Sequence, residues 1–316
     1  MTINKKYINL FIKSTEVAAY GASLFVGKGD KIGADQAAVD RMRNQLNCID
    51  MKGRIVIGEG ELDDAPMLYI GEKVGNGTGE NLDIAVDPVE GTNFVSKNLP
   101  NAISVLAAAK RGDMLHAPET YMEKIAIGPG YEKNLIDLDL GVKKNIERIS
   151  ESKNISPDKL TACILKRPRH EKIADILNEM NVKIQYISDG DVFGALSVAY
   201  KNLNIDLYLG IGGGPEGVLA AAALKCLNCQ MQTRLTFQNE EEIDRTKKLG
   251  ITDLKRKYYI EEMIKGDVIF SATGITDGQL LTGIKDHGNF FEAETFILHY
   301  NSKTNKKVKN KLKKWI

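Results

Sequence analysis

The sequence predicts an α/β protein of two domains, with helices layered on sheets. Three observations carry that prediction. The 316 residues are enough for one large or two ordinary domains. Residues 160–227 alternate short apolar runs with helical patterns, which implies a mostly parallel sheet with crossover helices. Residues 131–157 are polar, with Ser and Asn near their end, and mark a boundary between residues 1–157 and residues 158–316.

The first half begins with two helical patterns. Residues 7–27 set Ile8, Phe11, Ile12, Ala18, Ala19, Ala22, Phe25 and Val26 at helical spacing. Residues 35–48 repeat the pattern with Ala38, Met42 and Leu46. Asp35 falls in the first turn, where it either complements the helix dipole or reaches back as a metal ligand. Arg54 to Ile57 is a short strand that runs into Gly58-Glu59-Gly60-Glu61-Leu62-Asp63-Asp64-Ala65-Pro66. Carboxylates this close repel unless a cation or wide solvation relieves them. Residues 82–86 read as a buried strand, which Pro88 should end for want of an N–H. Glu90 and Gly91 then turn the chain, and Thr92 is a good N-cap for the segment that follows. Residues 102–109 and 121–127 read as two more strands, the latter stopped by Gly128-Pro129-Gly130.

In the second half, strands at 160–165, 182–187 and 205–209 alternate with helices at 168–180, 192–200 and 217–227. A charged helix at 239–249 and strands at 267–272 and 290–300 follow. Residues 302–316 are lysine-rich around Val308, Leu312 and Trp315, and read as a solvated terminal helix or a disordered end.

Composition narrows the function classes. With 43 % hydrophobic and 27 % charged residues the chain is an ordinary soluble globular protein. A formal net charge of +1 provides no global field for nucleic acid. The N-terminus lacks the apolar core of a signal peptide and no apolar run spans a bilayer, so a cytoplasmic protein is expected. Cys48, Cys163, Cys226 and Cys229 are too scattered for a disulfide framework. Cys226-Leu227-Asn228-Cys229 has no second pair to complete a zinc site, and reads as reduced thiols.

Chemistry concentrates where strands end. Asp87 and Glu90 stand three residues apart at a strand exit beside a helix start. Carboxylates hold Mg²⁺ or Mn²⁺, and free N–H groups at a helix start hold phosphate, so this turn suggests a metal-dependent phosphatase. The acidic cluster after Ile57 ends a second strand in the same way, which favours one shared metal site over two solvated acidic loops. Lys166-Arg167-Pro168-Arg169-His170 is either a phosphate grip or a solvated basic loop. Asp189-Gly190-Asp191 suits sugar hydroxyls or a helix cap. Gly212-Gly213-Gly214-Pro215-Glu216-Gly217 matches the dinucleotide fingerprint formally. That reading fails because Glu216 would aim a carboxylate at the pyrophosphate, and residues 230–237 offer no acid for the ribose. A divalent cation bridging Glu216 to an anion fits better.

Together these segments resemble the class II (GlpX-type) fructose-1,6-bisphosphatases, within the lithium-sensitive phosphatase superfamily. The resemblance runs over nearly the whole chain and thins in the last thirty or so residues. It implies a layered αβαβα sugar-phosphatase fold, with the active site between a metal-binding first domain and a substrate-binding second domain. It implies hydrolysis of the 1-phosphate of fructose 1,6-bisphosphate with Mn²⁺ or Mg²⁺. Asp35, Glu59, Asp87, Glu90 and Glu216 match the family's metal ligands. Thr92 matches its catalytic threonine, and Glu61 and Asp63 match acids around the nucleophilic water. Substrate positions fall at Glu90, Gly91, Thr92, Tyr121, Arg167, Pro168, Arg169, Asp189, Gly190, Asp191 and Gly213. Arg167 stands where the family carries Lys, and Gly214 where it carries Ala. A homo-oligomer, dimer or tetramer, is the expected assembly. Sedoheptulose 1,7-bisphosphate or an inositol phosphate is the alternative substrate, and a silent sugar-phosphate sensor the alternative from another class.

Overall fold

The computed structural model describes residues 2–58 and 68–314. Glu59, Glu61 and Asp63 lie outside the described residues. Helix α1 (Lys6–Ser23) buries Phe11, Ile12, Ala18, Ala19 and Ala22 of the expected stripe together with Tyr7, while Ile8 is half-buried and Phe25 and Val26 lie beyond its end. Helix α2 (Lys31–Asn47) starts earlier than its apolar pattern suggests, because the Asp30 side chain accepts from the Gly33 N–H at 2.8 Å and caps it. Asp35 therefore lies one turn inside the helix and not in its first turn. Strands β1 (Met51–Ile57), β2 (Lys73–Val74) and β3 (Glu80–Glu90), the short helix α3 (Thr92–Ser96) and β4 (Ile103–Lys110) follow.

The chain then builds β5 (Tyr121–Ile127), α4 (Gly141–Lys153), β6 (Thr161–Leu165), α5 (Glu171–Glu179), β7 (Lys183–Ile187), α6 (Asp191–Leu196), β8 (Leu207–Gly213), α7 (Gly214–Cys226), β9 (Gln230–Thr236), α8 (Glu240–Lys248), β10 (Lys257–Tyr259) and α9 (Ile260–Met263). It ends with β11 (Val268–Gly274), β12 (Lys285–Asp286), β13 (Phe290–His299) and β14 (Thr304–Lys313). No described helix is long and apolar enough to cross a membrane.

Two compact units result: Met1–Leu115 with Ile264–Ile316, and His116–Met263. This differs from a boundary near residue 157, and strand pairing is the reason. In the first unit, β11 pairs with β4 from Val268↔Ala109 to Gly274↔Ile103, so the chain's end completes the sheet begun by its start. That sheet runs β12-β13-β11-β4-β3-β1-β2, with β14 added to β13. In the second unit, β5 is sandwiched between β8 and β9, pairing with each along its whole length, so residues 121–127 belong with the alternating half. The second sheet runs β10-β9-β5-β8-β6-β7. Only β8, β6 and β7 are mutually parallel; β5, β9 and β10 join antiparallel, so the sheet is mixed and not mostly parallel. Each unit has its own apolar core. The first is centred on α1, α2 and the inner faces of β1, β3 and β4. The second gathers Ile125, Ile146, Ile164, Leu177 and Leu207.

Two further expectations are corrected. Pro88 does not end β3. Pairing of β3 with β1 stops at Ala85, and on the β4 side the register shifts between Asp87↔Val105 and Glu90↔Ile103. Pro88 and Val89 on β3 thus stand opposite Ser104 alone on β4, and Pro88 occupies the bulge, where its missing N–H breaks no ladder bond. The lysine-rich end is neither helix nor coil. It is β14, paired with β13 from Phe290↔Lys313 to His299↔Thr304. Val308 packs on the first core, while Lys309 and Lys311 face Glu294 and Glu292 across the ladder at 3.6 and 3.0 Å. Lysines on an outer strand also keep its open edge from pairing with another chain.

Candidate functional site

The first unit builds an acidic turn where β3 gives way to α3. The bulge rotates the end of β3 so that carboxylate oxygens of Asp87 and Glu90 lie within 4.8 Å of one another. Glu90 is 4 % exposed and Asp87 half-buried. Asp87 Oδ1 also accepts from the Val89 N–H at 3.0 Å, which fixes the bulge. Gly91, not Thr92, is the N-cap of α3. Its φ of 87° is left-handed, and a Cβ there would sit 2.6 Å from the Phe94 ring, so only glycine makes this turn without strain. Thr92 becomes the first residue of α3, and its hydroxyl lies 3.2 Å from the Val89 carbonyl.

The same hydroxyl hydrogen-bonds the Asp35 carboxylate, which reaches it from α2. Burial pushes the Asp35 carboxyl up to about 6, while the Thr92 bond and the Lys31 ammonium pull it down. A predicted metal ligand and the predicted catalytic threonine therefore touch. The neighbouring Asp83 on β3 has a different role. It is fully buried, with Arg54 at 2.9 Å and Arg111 at 3.0 Å, and acts as a structural ion pair.

The second unit gathers its candidates on one edge of its sheet, at the carboxyl ends of β6, β7 and β8 and the start of the antiparallel β5. Arg167, after β6, donates to the Ser188 carbonyl at 2.7 Å and lies 3.6 Å from Asp189. Pro168 begins the single turn that separates it from Arg169. Arg169 donates to the Ile211 carbonyl at 2.9 Å, and its guanidinium lies over the Tyr121 ring at 4.6 Å. Asp189, Gly190 and Asp191 form the β7–α6 turn, with Gly190 left-handed at φ 83°. Gly213 and Glu216 lie on the β8–α7 turn. A Cβ on Gly213 would collide with the Glu216 carboxylate, so the glycine leaves room for it. Glu216 Oε2 is buried and has no hydrogen-bond partner among the described residues. Burial pushes the Glu216 carboxyl up, and the Lys124 ammonium pulls it down. A buried carboxylate oxygen without a donor is costly unless a proton or a cation neutralises it. The all-oxygen donors here suit a hard divalent ion.

Two features were not legible in the sequence. His170 reads there as part of the basic cluster, yet it is buried and serves as a staple. Its Nδ1 lies 2.7 Å from the Leu165 carbonyl, and its Nε2 accepts from the Ile211 N–H at 2.7 Å. Burial lowers its pKa, which favours the neutral ring those bonds require. Lys124 is fully buried and ion-paired to Asp191, whose other oxygen accepts from the Tyr208 hydroxyl. The available signal was the alternation of β5, which puts Lys124 in the apolar register of Met122 and Ala126.

Comparison with known proteins agrees with these observations. A family model described as bacterial fructose-1,6-bisphosphatase, glpX-encoded, matches residues 5–312. A class 2 fructose-1,6-bisphosphatase of Haemophilus influenzae is 42 % identical over 313 residues, covering 95 % of this chain and 94 % of its own. One from Escherichia coli K12 is 40 % identical over 314 residues, covering 95 % and 93 %. Solved structures align more distantly. The extragenic suppressor protein suhB of Bartonella henselae has a TM-score of 0.34 at 10 % identity, over 62 % of this chain and 73 % of its own. An inositol monophosphatase from Anabaena has a TM-score of 0.33 at 9 % identity, over 61 % and 71 %.

Proposed function

The chain belongs to the bacterial, glpX-encoded fructose-1,6-bisphosphatase family, and from that membership we propose how its own residues carry the reaction. It is a metal-dependent phosphoric monoester hydrolase. The reaction is hydrolysis of the 1-phosphate of fructose 1,6-bisphosphate, giving fructose 6-phosphate and phosphate. Mn²⁺ or Mg²⁺ would be held by Asp35, Glu59, Asp87, Glu90 and Glu216. When bound, such ions would supply Lewis acidity and positive charge at the phosphoryl group.

The other roles belong to side chains. Thr92 orients the attacking water and passes its proton on, with Glu61 or Asp63 behind it. Gly91 and Glu90 shape the turn against the 1-phosphate. Arg167 and Arg169, with Tyr121 under Arg169, grip the distal phosphate, so binding at one end of the substrate positions the other. Pro168 and Gly190 hold those turns. Asp189 and Gly213 line the sugar. Arg at 167 keeps the charge of the family's Lys and adds a fork that can bind phosphate at two points.

The observation that carries this reading is the β3–α3 turn: paired Asp87 and Glu90 oxygens, followed by a threonine bonded to Asp35. The test is phosphate release from fructose 1,6-bisphosphate with Mn²⁺, with Mg²⁺ and with EDTA. Parallel wells carry sedoheptulose 1,7-bisphosphate, fructose 6-phosphate and inositol 1-phosphate. Metal-dependent release from bisphosphates is expected. Release mainly from monophosphates would remove Arg167 and Arg169 as a second phosphate grip, and no release with any metal would remove the phosphatase reading.

A further inference from the structure

Lys124 has no part in the roles assigned above, yet it is the fully buried lysine on which one side of the second unit's site is built. A buried ammonium persists only when paired. Its partner is Asp191 Oδ2, and Asp191 Oδ1 accepts from the Tyr208 hydroxyl. Asp191 is itself 8 % exposed, so both of its oxygens are engaged inward by protein.

The β8–α7 turn is packed directly against this pair. A Cβ on Gly212 would collide with the Asp191 carboxylate and come 3.0 Å from Lys124 Nζ. A Cβ on Gly217, in the first turn of α7, would lie 2.5 Å from Met122 Sδ and 3.1 Å from Lys124 Cε. Earlier on β8, a Cβ on Gly210 would lie 2.9 Å from the His170 ring. The backbone leading into Gly213 and Glu216 is thus set by the His170 staple first and by the Lys124–Asp191 pair after it.

The geometry points to Lys124 as a positioning residue for this reaction. With Asp191 it sets the β8–α7 turn and so the direction of the Glu216 carboxylate. Asp191 serves the site by shaping that turn. This inference rests on the phosphatase reading, in which Glu216 is a metal ligand.

The experiment measures Mn²⁺ binding to metal-free protein from the electron paramagnetic resonance signal of free Mn²⁺, without substrate. KM, kcat and Tm are read on the same proteins. The variants are Lys124→Met, Asp191→Asn, the double variant, and Tyr208→Phe. Removing one member of a buried pair leaves the other uncompensated, so either single variant can fail to fold. The neutral double and Tyr208→Phe keep the test open. The double should bind Mn²⁺ roughly tenfold or more weakly, by nearly the same factor as whichever single folds, since all break one pair. Tyr208→Phe should fall between it and wild type. KM for fructose 1,6-bisphosphate should move less than Mn²⁺ affinity. Unchanged or tighter Mn²⁺ binding in the double overturns the positioning role. So does an Asp191→Asn protein with raised KM and wild-type Mn²⁺ affinity, because Asp191 would then meet the sugar directly. If wild-type protein neither binds Mn²⁺ nor releases phosphate, the phosphatase reading itself fails; loss of the inference alone requires an active wild type.

Discussion

Asp35 shows how far a single residue's surroundings change its chemistry. Burial holds its carboxyl at about 6, above the usual 3.8, so it is ionised above pH 6 and protonated below. A protonated carboxyl cannot ligate a cation. Mn²⁺ affinity of the metal-free protein should therefore fall as pH drops through about 6, and Asp35→Asn should remove that part of the pH dependence. Affinity that stays level down to pH 5 would take Asp35 out of the ligand set. Thr92→Ala should still fold and lose about 100-fold or more in kcat, the usual scale for a group that handles a proton. Near wild-type turnover would end that role. Arg167→Ala should raise KM roughly tenfold or more and leave Mn²⁺ binding alone, as expected for the loss of one charged hydrogen-bonding partner. Asp87, Glu90, Thr92, Arg167 and Arg169 could be singled out in the sequence because each stands in a short motif at a strand exit or helix start. Lys124 and His170 were not, since whether a cationic residue is solvated or buried depends on strands distant in the chain.

Among the elements, helices and strands with strong local periodicity lie close to where the sequence puts them. The departures have separate causes. At α2 the Asp30 cap outranks the apolar pattern, and at β3 a bulge accommodates Pro88. At β14 the partner strand β13 decides, because Val308 and Leu312 are four apart and fit helix and strand equally. That hairpin also supplies the surroundings of Glu16 on α1. Glu16 is 1 % exposed and hydrogen-bonded by Thr295 and Asn310. Burial pushes its carboxyl from 4.5 up to about 7, against those two donors and the Lys13 ammonium. The folded state then holds a proton that the unfolded state releases between about pH 4.5 and 7. Stability from this residue is fully present below that window, declines as pH rises through it and levels off above it. Glu16→Gln keeps the hydrogen-bonding shape without the charge. It should match wild type near pH 4 and exceed it at pH 8 by up to about 3 kcal/mol in urea unfolding. Coincident pH profiles for the two proteins would show that Glu16 is not the titrating group.

For the whole molecule, a ligand that binds only the folded state stabilises it by mass action. Mn²⁺ at about 100 times its Kd should add about 2.7 kcal/mol to the unfolding free energy, seen as a higher Tm that EDTA reverses. A Tm indifferent to Mn²⁺ would leave the buried, donorless Glu216 Oε2 without its proposed cation. The sequence by itself determined the α/β class, most elements, the acidic and basic turns, and the family, because each rests on local spacing or on motifs readable in one dimension. Tertiary structure alone decided that residues 264–316 return to the first sheet, that residues 121–127 enter the second, and that the second sheet is mixed. It also decided that a buried lysine packs beside the glycine-rich turn. Pairing between strands far apart in the chain is set by which edges and apolar faces are left to cover, and no local pattern records it.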